Sequence, residues 1–384
     1  MTIVTNLGFP RIGARRELKR ALESYWHGES DAAQLQATAA ELRVRHWTLQ
    51  REAGVELPPS NDFSLYDHVL DTAFLFDAIP ERYRALAVCA PLAAYFAMAR
   101  GLQRPGIDLH ALEMTKWFDT NYHYLVPELQ AGQRFTLRGD KPLAEYREAK
   151  ALGIETRPVL LGPVSFLRLS KTTDGSDPLD LLDALLPVYA QLLEALQAEG
   201  ARWVQLDEPV LVQDLDDAAS VAFRQAYARL ADGPHPDILL ATYFGALDDN
   251  LALAASLPVQ GLHVDLVRAP EQLDAVLRAL PAGRVLSLGL VDGRNIWRNP
   301  LDNALILARY ARGNRGDDPL WLAPSCSLLH CPVDLALEKK LDAELRGWLA
   351  FSRQKLGELK LLADALDGRA GAEAALAPAR ERQP

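Results

Sequence analysis

Three cysteines in 384 residues, Cys89, Cys326 and Cys331, are too few for a disulfide framework, and no two form a CxxC pair. Their scarcity fits a reducing cytoplasm. Histidine is sparse too, with eight residues and no HxxxH or HxH pair. His330 and Cys331 are adjacent and Cys326 lies close by, but adjacent residues do not give the usual spacing of zinc ligands. No metal site is expected in this chain. Long apolar runs are missing as well. The most apolar long stretch, 251–267, is broken by Gln260, Gly261, His263 and Asp265, which makes it a poor membrane span. No cationic start followed by an apolar run opens the chain, so no secretory signal is expected. Positive charge is in deficit, at a formal −10, and the chain as a whole does not read as a nucleic-acid binder. A local cationic site for a small anion stays open. Neither GxGxxG nor GxxxxGK[ST] follows a strand, which removes the usual dinucleotide and P-loop arguments.

What is present is the balance of a soluble globular protein, 49% hydrophobic and 24% charged. Short apolar runs end in Gly, Pro, Asp or other polar residues and lead into helix-like segments. They fall at 3–10, 62–67, 159–164, 203–209, 238–244, 261–267, 285–291 and 320–326. Near-continuous apolar strands belong to parallel sheets buried on both faces. Eight of them alternating with helices predict an α/β fold, a (βα)8 TIM-type barrel, with a doubly wound open sheet as the alternative. The spacing is uneven: about a hundred residues separate the second and third strands, far beyond an ordinary loop. That insertion holds ALEMTKWFDTNYHYLVPE (111–128), read as an excursion over the barrel mouth.

Helical segments flank the barrel. Residues 14–27 and 32–53 predict a helical pair, with Ser30 and Asp31 as candidate caps between them. From Asp334 to about Gly368, apolar residues recur at helical spacing, predicting one or two long helices. The barrel is therefore placed at 1–333 and a helical linker with a flexible tail at 334–384. An apolar stripe on that helix could serve a partner domain or fold back on its own barrel.

The chemistry-bearing candidates are few. In GFPRIGARRELKR (8–20), Arg15, Arg16, Lys19 and Arg20 crowd the opening of a helix. Like charges four apart repel, and cations at a helix start oppose its dipole. Two readings compete: a solvated face balanced by Glu17 and Glu23, or an anion site beside a barrel strand's C-terminal end, where barrel enzymes place ligands. A flexible ligand with several carboxylates would suit the second. Lys116 reads as an ordinary surface lysine or as a further cation over the mouth. Asp207 and Glu208, at the end of the fourth strand, could orient a substrate or anchor loops through backbone N–H groups.

Several longer strings, LGFPRIGARRELKRALESYW, DFSLYDHVLDT, EMTKWFDTNYHYLVPE, PVLLGPVSFL, WVQLDEPVL, GLHVDLVRAP, GLVDGRNIWR and PSCSLLHCPVDL, closely resemble the amino-terminal half of cobalamin-independent methionine synthase. The resemblance runs in order from near residue 1 to about residue 365. It implies a methyltransferase that moves the methyl group of 5-methyltetrahydropteroyl-triglutamate to homocysteine, built from two (βα)8 barrels that look like a duplication. By the same resemblance, Arg16, Glu17, Leu18, Lys19 and Lys116 are folate-contacting residues serving the triglutamate tail. Zinc and homocysteine activation belong to the second barrel. In this half the zinc-ligand places are matched by Thr242, Phe244, Asp265 and Cys326, which leaves at most two usable ligands. The resemblance thus implies no catalytic residue and no cofactor in this chain, and no methionine formation by this half alone. A non-catalytic folate-binding or scaffold barrel is the alternative.

Overall fold

The computed structural model describes residues 2–380. Its centre is an eight-stranded, all-parallel sheet. The strands are β1 (Ile3–Val4), β2 (Pro59–Ser60), β3 (Arg157–Leu161), β4 (Trp203–Asp207), β5 (Asp237–Ala241), β6 (Gly261–Asp265), β7 (Val285–Val291) and β8 (Leu320–Pro324). Neighbours run β1-β8-β7-β6-β5-β4-β3-β2. The seam between β1 and β2 closes through a parallel bridge between Thr5 and Leu57, with the Glu56 N–H donating to the Val4 carbonyl at 2.9 Å. The predicted (βα)8 barrel is therefore the observed fold.

Strands β3 and β6 to β8 are buried along their whole length, because helices cover the outside and side chains fill the inside. That filling includes polar groups. Arg157 is fully buried and donates to the Asn6 carbonyl and the Gln205 side chain, both at 2.9 Å. Gln205 in turn donates to Asp207 at 2.6 Å, which links the barrel interior to its mouth.

The second strand differs from the expectation. Residues 62–67 form no strand; the paired residues are Pro59 and Ser60. The apolar residues of 62–67 fill a loop, and Asp67 caps helix His68–Leu75 by accepting from the Val69 and Leu70 N–H groups, both at 2.8 Å. A helix cap following apolar residues mimics a strand end in sequence. Elsewhere the predicted runs overshoot the strands by up to several residues, and the surplus forms the mouth loops.

The opening helical pair is Glu17–Trp26 and Ala32–Glu52. Asp31 caps the second with a full capping box to Gln34. The pair shares a separate core with the insertion: Leu18, Leu22, Leu35 and Leu42 pack with Phe63, Tyr83 and Phe96.

The segment from 334 onward is less regular than predicted. Short helices at Leu335–Leu337 and Ala343–Trp348 precede one long helix, Ser352–Leu366. That helix lies against β1, β7 and β8, and Leu356, Leu359 and Leu362 are wholly buried in the barrel's main core. Its apolar stripe faces its own barrel, in the position of an eighth barrel helix. The tail also departs from a frayed reading, since Ala372–Arg380 is helical and buries Leu376. Residues 381–384 of the predicted tail lie outside the described residues.

Candidate functional site

The cationic stretch sits where the chain leaves β1 and enters helix Glu17–Trp26. Arg16 holds the helix start in a left-handed conformation, with φ of 60°. Such a geometry in a non-glycine residue is strained, and strain of this kind gathers at functional sites. Glu17 fastens the turn: its carboxylate accepts from the Arg15 N–H at 2.8 Å and pairs with Arg45 at 3.0 Å. Although burial opposes it, these bonds lower the Glu17 pKa. Leu18 is buried in the second core and fixes the register of the helix.

The structure therefore splits the four residues into two anchors and two cations. Arg16 and Lys19 point outward and are exposed. Lys19 has a loose pair with Glu23 at 3.7 Å, both half-exposed. Among the described residues, Arg15, Arg16 and Arg20 have no ion pair, so the nearby acids do not neutralise the cluster.

Lys116 lies on a hairpin, Met114–Lys116 paired with His123–Leu125, and is exposed. No ion pair, hydrogen bond or ring contact joins it to residues 16–19 among the described residues. The hairpin is indeed an excursion over the mouth. Asp119 at its tip pairs with Arg268 at 2.5 Å and Arg294 at 2.8 Å, from the loops after β6 and β7. Phe118 meets Phe244 with ring centroids 5.7 Å apart, and Tyr122 meets His330 at 6.2 Å.

Beneath this roof lies a cavity lined by Arg11, Asp62, His68, Trp117, Asp207 and His330, among others. Apart from Asp207 these were not singled out from sequence as binding residues. Arg11 stands in the cationic stretch itself, but its partners are distant in the chain: it donates to the Tyr66 carbonyl and lies over the Tyr122 ring at 5.2 Å. Burial pushes Asp62 up to about 7 despite the Phe9 N–H bond, and it pushes His68 down to about 3 and His330 to about 4. The imidazoles are thus held neutral.

Asp207 and Glu208, adjacent in sequence, divide the two roles left open. Asp207 faces the cavity and accepts from Gln205 at 2.6 Å and from the Tyr243 hydroxyl at 3.0 Å. Glu208 is fully buried and accepts from the Ser165 N–H at 2.7 Å, the Val164 N–H at 3.3 Å and the Tyr227 hydroxyl at 3.2 Å. Only glycine fits at 162, where a Cβ would stand 2.2 Å from the Glu208 carboxyl. Glu208 is a loop anchor. Burial raises both carboxyls to about 7.

At the four places matched to zinc ligands, the side chains are engaged elsewhere or poorly suited to a metal. Thr242 spends its hydroxyl on the His263 carbonyl at 2.8 Å, and Phe244 offers no donor atom. Asp265 accepts three backbone N–H groups, from Phe244, Val267 and Arg268, at 2.9–3.1 Å. Burial holds the Cys326 thiol well above its ordinary pKa, which opposes the thiolate a metal needs.

The family model for the cobalamin-independent synthase, N-terminal domain, matches residues 3–313. A 5-methyltetrahydropteroyltriglutamate–homocysteine methyltransferase of Xylella fastidiosa is 73% identical over 381 residues, covering 99% of this chain and 50% of the relative. The enzyme of that name from Nitrobacter winogradskyi is 55% identical, covering 97% and 51%. The chain spans about half the length of the curated relatives it matches. Among solved structures, a putative vitamin-B12-independent methionine synthase from Listeria monocytogenes superposes with a TM-score of 0.62 at 14% identity, covering 95% of this chain and 99% of that one. A B12-independent methionine synthase from Shewanella, in complex with selenomethionine, gives 0.61 at 13% identity, covering 91% and 92%. At such identities these two establish the barrel fold alone.

Proposed function

The chain belongs to the cobalamin-independent methionine synthase family, as its amino-terminal domain, and from that membership we propose that it serves methyl transfer from 5-methyltetrahydropteroyl-triglutamate to homocysteine. Its own part is to receive the anionic polyglutamate tail. Arg16 and Lys19 supply charge on the opening helix, Glu17 and Leu18 hold that helix in register, and Lys116 adds a cation from the roof hairpin. The observation that carries this reading is the cluster of exposed cations, three of them without an ion pair among the described residues, on a strained helix start. Local helix physics disfavours such a cluster unless an anion binds there. Each glutamate of the tail keeps a free carboxylate, and several separated cations can each engage one.

Chemistry at the thiol belongs to a second barrel that would carry the zinc, since the residues here do not fit that ion. Homocysteine is a partner only through that barrel. The reading is tested by mixing the 384-residue chain with a separately expressed carboxy-terminal barrel and assaying methionine. Neither half alone should turn over, the mixture should, and Arg16→Ala with Lys116→Ala should raise the KM for the triglutamate substrate. Methionine formation by this chain alone contradicts the proposal. So does a mixture whose KM the double variant leaves unchanged.

A further inference from the structure

The tip of the roof hairpin is held under strain. Phe118 has φ of 52° there, and Phe244, in the loop after β5, has φ of 80°. Among the described residues these are the only aromatic residues with positive φ, and their rings meet 5.7 Å apart. Bulky side chains rarely adopt that conformation, and it persists only where the surroundings over-determine it. Two arginines do so here. Asp119, next to Phe118, accepts from Arg268 at 2.5 Å and from Arg294 at 2.8 Å. The Arg294 guanidinium also donates to the Asp119 carbonyl at 3.1 Å and lies over the Phe244 ring at 5.1 Å, which ties the ionic and aromatic contacts together. Although burial opposes it, the Arg294 bond and both guanidinium charges lower the Asp119 pKa, so this group is a carboxylate.

Both arginines are in turn fixed to the barrel. Asp265, the last residue of β6, accepts the Arg268 N–H at 2.9 Å and the Phe244 N–H at 3.1 Å. Asp292, just after β7, accepts the Arg294 N–H at 2.7 Å. A continuous path of bonds therefore runs from the strand ends to the hairpin tip. The hairpin has little rigidity of its own, since Met114–Lys116 pairs only with His123–Leu125 and a ribbon that short is marginal in water. Trp117 turns inward and is buried, whereas Lys116, its neighbour in an alternating strand, turns outward and is exposed. The Lys116 ammonium stands where the hairpin backbone puts it.

We propose that Asp119 is a positioning residue for the polyglutamate tail: clamped by Arg268 and Arg294, it holds the hairpin so that Lys116 meets a tail carboxylate. The proposal rests on the tail reading. Two expectations separate positioning from a plain effect of charge. Asp119→Asn removes a negative charge and frees two cations at the mouth, which by charge alone strengthens the binding of an anion. Positioning gives the opposite sign, a weakening. Its effect also passes through Lys116, so it vanishes where that side chain is absent.

Calorimetry at low ionic strength, with the tri- and monoglutamate forms of 5-methyltetrahydropteroate, tests this on the 384-residue chain and on Asp119→Asn, Lys116→Ala and the double variant. Asp119→Asn should weaken triglutamate binding by about two- to five-fold, the range of one exposed ion pair, and by no more than Lys116→Ala does. Monoglutamate binding should stay as it was. In the Lys116→Ala background Asp119→Asn should cost nothing further. Arg268→Gln, which loosens the clamp from its other side, should show the same loss and the same dependence on Lys116. Unchanged or tighter triglutamate binding in Asp119→Asn, or an equal loss with and without Lys116, would overturn the clamp and leave the tail reading standing. If Lys116→Ala itself leaves triglutamate affinity unchanged, the role of Lys116 in the tail reading fails, and the clamp falls with it.

Discussion

Asp207 and Glu208 show how far a residue's role depends on what lies across the barrel from it. The two carboxyls are neighbours at one strand end, yet one faces a cavity and the other fastens the β3 loop. Nothing in the dipeptide distinguishes them, because Ser165 and Tyr227 are brought to Glu208 only by folding. Both carry a shared signature: burial raises them to about 7, as it does Asp62 and Asp67. In the unfolded chain these groups release their protons near the ordinary carboxyl range, so between about pH 4 and pH 7 the folded state holds more protons. Stability therefore falls as pH rises through that window and levels off above it. Each group contributes a slope of up to about 1.4 kcal/mol per pH unit. Urea denaturation across the window should show a shallower decline for Asp207→Asn than for the parent chain. Parallel curves for the two would mean that Asp207 ionises normally in the fold.

At the level of elements, most of the barrel was readable because its strands are short apolar runs between punctuating Gly, Pro and Asp. β7 was read to the residue, since it is buried from Val285 to Val291 and nothing blurs its ends. β2 was misplaced by a few residues, because two paired residues including a proline leave almost no pattern, and the Asp67 cap supplied a false one. Helix Ser352–Leu366 was visible as a helix, but its destination was not. Periodicity identifies an apolar face without saying what covers it. Here the cover is the barrel itself, and Lys355 adds a fully buried ammonium that donates to the Trp297 carbonyl at 3.0 Å and to Asn295 at 3.2 Å. Leu359→Ala should therefore cost about 2–5 kcal/mol, the range for truncating a buried leucine, read as a lowered denaturation midpoint. A cost below about 0.5 kcal/mol is what a detachable linker helix would give.

Over the whole molecule, the opening helical pair and the long insertion form one superstructure on the barrel's C-terminal side. Their shared core fixes the helix that carries Arg16 and Lys19, while the insertion also extends the hairpin that carries Lys116. The cations were legible in the sequence as an unfavourable pattern. The buried anchors, Leu18 among them, were legible only through resemblance. Apart from Asp207, the cavity beneath the roof was not legible, since its residues come from β1 to β5, β8 and the insertion and meet only in the closed fold. The central claim is that these cations receive a multiply charged tail. The most direct test is calorimetry of the chain with tri- and monoglutamate forms of 5-methyltetrahydropteroate. Three exposed ion pairs at about 0.2–1 kcal/mol each predict a roughly three-fold to hundred-fold preference for the longer tail. That preference should fade with salt and disappear in the Arg16→Ala, Lys19→Ala, Lys116→Ala triple variant. Equal affinity for the two tails in the unmodified chain would contradict the account.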